Sequence, residues 1–400
     1  MSVFLVFAIA LLAVRSTQGE LLDQWTQVAL VPRAGLNAVS FVGDTFLAVG
    51  EKGTVLTSTD GRNWVSQTPL GDMTLRGISA GEGMIVIVGD SGSIFTSRTG
   101  ATWTQQVSNS TNQLNSVAFG NGTFVVVGGF IGEQEILTSA DGIEWTRLPP
   151  ADAQPLFSVA FGKGRFVAVG GWIDNAGNLI WSSSDGITWV SNRVTAIQAL
   201  RGIAFGRDTF VAVGFEQFFG QFGAGGYSVA TLTSDNGMDW AIHSIPGRFG
   251  ALYSVAYGED GFVGVGGGGL TWASPTGIVW TEETPGFQTY FLAAIAYARG
   301  AWIVAGSKFA GGVAFQGGVI LAASEFEMEP RFLRGLVVEQ GKATITLESK
   351  AGLRLRIERS SDLNVWTPVL ETTNSTGRLE FIDTDVSPSQ QFYRANAERF

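Results

Sequence analysis

Short apolar runs recur along most of this chain, and each is bounded by glycine, asparagine or aspartate. Val, Ile, Phe and Trp in such runs predict strands, and the interruptions predict tight turns. Two patterns recur. In the first, an apolar run, a glycine turn and a second apolar run follow one another, as in LNSVAFGNGTFVVVG at 114–128 and LFSVAFGKGRFVAVG at 156–170. It opens seven times, at Leu36, Leu75, Leu114, Leu156, Leu200, Leu252 and Leu292. In the second, a turn ends in Gly-x-x-Trp: TSTDGRNW (57–64), TSRTGATW (96–103), TSADGIEW (138–145), SSSDGITW (182–189), TSDNGMDW (233–240) and ASPTGIVW (273–280).

Together the patterns make a unit with four short strands: LxxVAF, FVAVG, the stretch leading into Thr-Ser, and the stretch from Trp. Four-stranded units of about 40 residues predict propeller blades. The seventh unit ends at GGVILAASEFE without a Gly-x-x-Trp strand, while an orphan Trp25 stands near the start in DQWTQVAL. The N-terminal segment is therefore expected to supply the outer strand of the last blade and close the ring, which removes open sheet edges. From Pro330 the period stops, and strands are expected at 336–338, 343–347, 353–359, 366–370 and 379–382. The predicted class is all-β: a seven-bladed β-propeller over 20–329 closed by an N-terminal strand, then a small β-sandwich-like, fibronectin-like module over 330–400.

Composition adds a location and removes chemistry. The 54 glycines against 11 prolines serve turns rather than disorder. The net charge of -10 belongs to the repeat, because residues 20–330 hold 14 of the 25 basic and 26 of the 35 acidic side chains. An acidic surface repels phosphate backbones, so no nucleic-acid partner is expected. The chain has no cysteine and one histidine, which excludes disulfides, thiolate chemistry and Cys/His zinc sites. That residue, His243, follows Trp240 on an expected outer strand, far from any place for a Ser-His-Asp triad. The apolar run from Val3 to Val14, with small and polar residues through Thr17 and Gly19, is too short to cross a bilayer. It predicts a signal peptide over 1–19, a secreted or periplasmic (cell-envelope) location, and no integral membrane segment in the mature chain.

The Ser-x-Asp-Gly-x-x-Trp turns resemble the Asp-box, or BNR, repeat of sialidase-type propellers. In that motif Asp stands two before Gly; here Asp is usually adjacent to Gly, and Thr233, Asp235, Gly237 and Trp240 keep the family spacing. Seven units with FVAVG strands are similar to the photosystem II stability and assembly factor family of propellers, a resemblance that covers residues 21–327. It implies a seven-bladed ring that assembles or binds other molecules without catalysis. SSDLNVW at 360–366, with FIDTD and FYR after it, resembles C-terminal modules of secreted bacterial proteins.

Candidate chemistry lies where the repeat varies. The aspartates Asp60, Asp141, Asp185 and Asp235 recur as a turn cap would, so they are not read as a calcium site. The glycines at 264 and 266–269 lack the Lys-Ser/Thr of a phosphate loop. No cofactor, metal or catalytic residue is expected. Strand direction alternates, so the connections between second and third strands share one face, opposite the aspartate turns. Those connections lengthen in GFIGEQE (129–135), GWIDNAGN (171–178), FEQFFGQFGAGGYS (215–228) and SKFAGGVAFQGG (307–318). They carry Phe130, Trp172, Phe215, Phe218, Phe219, Phe222, Tyr227, Phe309 and Phe315, expected as exposed aromatics. Insertions on one face of a repeat protein mark a binding face.

On the same face, the residue after each repeated leucine reads Asn37, Arg76, Asn115, Phe157, Arg201, Tyr253 and Ala293. Its neighbours repeat closely and it does not. Two arginines with amides and aromatics suit a carboxylate, a sugar or an acidic protein segment. The leading expectation is a noncatalytic binding or assembly scaffold gripping a protein or glycan ligand. The alternatives are an accessory carbohydrate-binding protein and a sialidase-like glycosidase built on Arg76, Arg201, Arg248 and Tyr253. Against the enzyme stand seven units where those enzymes have six and no assignable Glu/Tyr pair.

Overall fold

The structure is a computed structural model. It describes residues 25–130, 132–171, 178–194, 199–219, 225–282, 289–310 and 314–324, then 331–332, 337–339, 342–348, 354–361, 365–373, 375–376, 378–384 and 392–398. Backbone contacts divide the chain into two units, one holding Leu22–Ala273 and Trp280–Glu325 and the other Met1–Leu21, Ser274–Val279 and Phe326–Phe400.

The repeat folds into seven four-stranded antiparallel sheets, as the periodicity predicts. The first has Leu36–Val42 innermost, then Thr45–Gly50, Val55–Ser58 and Val65–Ser66. The innermost strands of the next five blades are Leu75–Gly81, Leu114–Gly120, Leu156–Gly162, Ala199–Gly206 and Leu252–Tyr257. In the seventh blade, Tyr290–Ala298, Ala301–Ala310 and Ala314–Ser324 are completed by Thr26–Pro32 from the start of the chain, paired antiparallel from Thr26↔Ala322 to Pro32↔Gly317. The orphan Trp25 is 6% exposed, so the closing strand brings its own buried anchor.

Each blade buries both faces, which is why the second strands read as continuous apolar runs instead of alternating. The seven opening leucines are all 0% exposed, and fully burying one such side chain stabilises by about 1.5–3 kcal/mol. The cores lie between blades: Met84, Val86, Val88 and Ile94 of blade two pack with Leu114, Phe124, Leu137 and Trp145 of blade three. The same arrangement joins blade three to four and blade seven to one.

The aspartate turns are capped as expected. The Asp60 carboxylate accepts from the backbone N–H of Arg62 and Asn63 at 2.9 and 2.7 Å, Ser58 Oγ accepts from Gly61 N–H, and Trp64 Nε1 donates to the Gly61 carbonyl. Asp141 and Asp185 repeat these bonds. These amide donors hold all three carboxyls below the ordinary carboxylate range, Asp185 at about 2. In blade five the cap is Asn236, not Asp235: Asn236 Oδ1 accepts from Met238 and Asp239 N–H at 2.8 and 2.9 Å. The capping position is fixed by distance from the glycine, so the Asp-box spacing kept by Asp235 misplaces it by one residue.

In the other unit, Lys342–Glu348 pairs with Arg331–Phe332, Val337–Glu339 and Arg378–Asp383, and Arg354–Ser360 lies between Thr367–Thr373 and Phe392–Glu398. Ile345, Leu347, Leu355, Ile357 and Tyr393 form its core. The buried Asp383 accepts from Tyr393 Oη at 2.9 Å and from Arg359 Nη1 at 3.0 Å. Among the described residues no helix is long and apolar enough to cross a membrane.

Candidate functional site

Every innermost strand carries a β-bulge at one position. In blade one the pairing runs Leu36↔Gly50 and then Ala38↔Val49, leaving Asn37 as the extra residue. The same slip leaves out Arg76, Asn115, Phe157, Arg201, Tyr253 and Ala293. A bulge bends the strand and re-aims one side chain out of the ladder, so the variable register of the sequence is the bulged residue of each blade. The glycine that closes FVAVG makes this possible. A Cβ on Gly170 would sit 2.1 Å from the Pro155 carbonyl oxygen, and one on Gly50 1.9 Å from that of Gly35. That carbonyl turns back to accept the N–H after the glycine, as in Glu51 N–H to Gly35 at 2.9 Å.

All seven bulged residues line one cavity of about 300 Å³ at the channel mouth, together with Phe291. Its wall has two characters. On the polar side, Asn37 Nδ2 donates to the Leu75 carbonyl at 3.0 Å and Asn115 Nδ2 to that of Leu156 at 2.8 Å, so each amide ties its blade to the next. Arg76 grips Asp90 through Nε at 2.5 Å and Nη2 at 3.2 Å. Of the two arginines expected at a ligand carboxylate, Arg76 is thus already ion-paired with Asp90 of its own blade.

The other side is aromatic. The Arg201 guanidinium carbon lies 4.0 Å from the Phe157 ring centre and 5.7 Å from that of Phe215. Burial lowers the Arg201 pKa from its ordinary value, against the influence of Tyr253; the residue nonetheless stays charged. Tyr253 and Phe291 meet with ring centres 4.6 Å apart. Rings against a planar guanidinium restrict it to few orientations while its in-plane N–H groups remain the directions of donation, the arrangement that favours bidentate acceptors.

The loop aromatics divide. Phe130 and Phe315 are 61% and 42% exposed, as expected. Phe215 is 5% exposed, a correction: it sits in the strand Thr209–Phe219, pairs with Ala199 and Val229, and backs Arg201. The segments expected as loop insertions at 215–228 and 307–318 are largely extensions of their hairpins, because their residues continue the antiparallel ladder to Phe219↔Gly225 and Ala310↔Ala314. Phe309 is half-buried, its ring 5.8 Å from Phe315. Phe218, Phe219 and Tyr227 are strand positions in that ladder; Trp172 and Phe222 lie outside the described residues.

Two residues of the site escaped the sequence reading. Phe291 occupies the position before the repeated leucine, where the other units have Gly35, Thr74, Gln113, Pro155, Ala199 and Ala251, so an aromatic out of register was the available signal. Asp90 stands just after the FVAVG-type glycine, a place where Glu51 is the other acidic residue. His243 is a half-buried outer-strand residue whose Nε2 lies 2.8 Å from Thr233 Oγ1, and burial lowers its pKa. Among the described residues no group of three or more His, Asp or Glu is placed to hold a metal ion.

No protein-family model matches this chain, and no curated protein matches it in sequence. Solved structures do. The chain is similar to YCF48 bound to D1 peptide, at 16% identity and a TM-score of 0.56, over 79% of this chain and 100% of that one. It is similar to the Pan2 WD40 domain of Neurospora crassa at 13% identity and a TM-score of 0.53, over 76% of this chain and 97% of that one. At these identities the likeness establishes the propeller fold.

Proposed function

We propose that the chain is a noncatalytic protein-binding scaffold that seats a polypeptide segment at the channel mouth, with a carboxylate of that segment on Arg201. One observation carries the reading: seven bulges aim their side chains into a single cavity, and a cation lies there against aromatic rings. Tyr253 and Phe291 would take an apolar side chain next to the carboxylate, while Asn37 and Asn115 are committed to joining blades and Arg76 to Asp90 of its own blade. A structurally similar propeller has been solved with a peptide bound, which supports a peptide as occupant. The apolar run from Val3 to Val14 supports placing this activity outside the cytoplasm or in the cell envelope.

The test is a peptide-array screen with the full chain, followed by titration of any hit against Arg201→Ala, Arg201→Lys and Arg76→Ala. Arg201→Ala is expected to lower affinity by ten-fold or more, since hydrogen bonds to charged groups contribute about 1.5–3 kcal/mol. Arg201→Lys restores little, and Arg76→Ala lowers thermal stability before it lowers affinity. A hit insensitive to Arg201 moves the site away from the cavity.

A further inference from the structure

The face opposite the cavity carries a second feature that the channel-mouth reading does not use. In the capped turns, the residue after glycine is Arg62 in blade one and Ala101 in blade two, but Ile143, Ile187 and Met238 in blades three, four and five. These three are 40%, 61% and 41% exposed. Single exposed apolar residues are ordinary on protein surfaces; here a large exposed apolar residue recurs at one surface register of three successive blades.

The turns hold these side chains out rigidly. The backbone N–H of each one donates to its capping side chain at 2.8 Å: Ile143 to Asp141, Ile187 to Asp185, Met238 to Asn236. Neighbouring turns are tied across blades, through Asn192 Nδ2 to the Met238 carbonyl and Lys163 Nζ to the Asp235 carbonyl at 3.1 Å. An apolar group presented on a fixed backbone loses little freedom on binding, which favours association.

Charge identifies the occupant. Exposed Asp141, Glu144, Asp185, Asp235 and Asp239 lie in these three turns, with the exposed Lys163 on the Asp235 carbonyl, whereas the turn of blade one carries Arg62 beside Asp60 and that of blade two Arg98. Asp141 and Asp185 stay ionised well into acid because the turn amides hold their pKa down. A second copy of this chain, at net charge -10, would bring like charge to the arc. We infer that the turn arc of blades three to five is a docking surface for a basic, apolar-rich segment of another protein, with Lys or Arg side chains flanking large apolar ones.

The arc is testable with synthetic probes on the full chain. Fluorescence anisotropy is measured with a labelled peptide of Lys and Leu and with its Glu and Leu counterpart, at low and raised salt. The Lys/Leu peptide is expected to bind with salt-sensitive affinity and the Glu/Leu peptide not to bind. Ile143→Ser/Ile187→Ser/Met238→Ser is expected to weaken binding by about ten-fold or more, and Glu144→Lys/Asp235→Lys to weaken it with a shallower salt dependence. Arg201→Ala leaves it unchanged, which separates this surface from the cavity. The residues substituted on the arc itself are all exposed, so an unchanged melting temperature in those variants certifies the fold. Absence of Lys/Leu binding, equal binding of both peptides, or a triple variant that binds like the wild type would overturn the inference.

Discussion

At the residue scale, the repeat is held by a small number of polar atoms that each serve several donors. Asp185 is the clearest case: one carboxylate oxygen takes two backbone N–H groups, and Ser183 supports it. Because its folded pKa is about 2 against an ordinary 3.8, the unfolded chain binds more protons between those values. Stability from this turn is therefore complete above pH ~4 and is lost as pH falls toward 2. Asn236 performs the same hydrogen bonding without a charge, so Asp60→Asn/Asp141→Asn/Asp185→Asn is expected to fold and to show a flatter stability curve between pH 4 and 2. Urea unfolding at several pH values measures it; a curve as steep as the wild type's rejects the assignment. His243 acts in a separate window: its depressed pKa means protonation favours the unfolded chain, so its contribution fades as pH falls below about 6.5. As the one histidine in the chain, it gives an unambiguous NMR titration, expected to show a midpoint below that value. The capping pattern was legible from Ser-x-Asp-Gly alone. Its exception at Asn236 was missed because a motif spacing was preferred to the local count from glycine.

At the element scale, each blade reserves space for the next. Near the end of the innermost strand, Phe119 stands over Gly81, Phe161 over Gly120, Phe205 over Gly162 and Tyr257 over Gly206; a Cβ on Gly120 would lie 2.1 Å from the Phe161 ring. Blade two has Ala80 where others have an aromatic, and there blade one has Val42 in place of glycine, filling the space with the core it joins. Gly120→Ala is accordingly expected to destabilise by about 2–3 kcal/mol through overpacking and Phe161→Ala by about 3 kcal/mol through the cavity it leaves. The double variant should lose clearly less than the sum, because the methyl then enters the vacated space. Additive losses in denaturant melts would reject the contact. The glycine and phenylalanine positions were plain in the sequence as AFG and FVAVG, but their reasons were not. One glycine faces the neighbouring blade and the other a carbonyl within its own bulge, and neither partner is near in sequence. The bulge itself explains why the register that lines the cavity was legible as variable, whereas Asp90 and Phe215, its partners in space, were read as a turn residue and an exposed loop residue.

At the scale of the whole molecule, the ring depends on a strand that comes from the far end of the chain. Thr26–Pro32 covers the edge of Ala314–Ser324, where Val319 and Ile320 are 0% exposed and Leu321 1%. Val28, Ala29 and Val31 pack on the core shared by blades seven and one, and Gln27 Oε1 accepts from Tyr290 Oη at 2.9 Å. This closure was predictable from sequence because two defects complemented each other, a seventh unit lacking its tryptophan strand and an orphan Trp25 before the first. A chain starting at Ala34 keeps all the bulges and the cavity residues but leaves a strand edge of unpaired backbone groups and uncovered apolar side chains. It is expected to melt at a lower temperature and to elute as larger species than the full chain in size-exclusion chromatography with light scattering. A synthetic peptide of residues 25–33 supplied in trans should return it toward the full-length elution volume, by adding a strand to the exposed edge. Restoration by that peptide, and failure of a version with Val28→Asp and Val31→Asp, would show that the edge and the apolar contact are both required. If the shortened chain melts and elutes like the full one, the first blade and the seventh hold the ring closed without the N-terminal strand, and the energetic role assigned to it here is wrong.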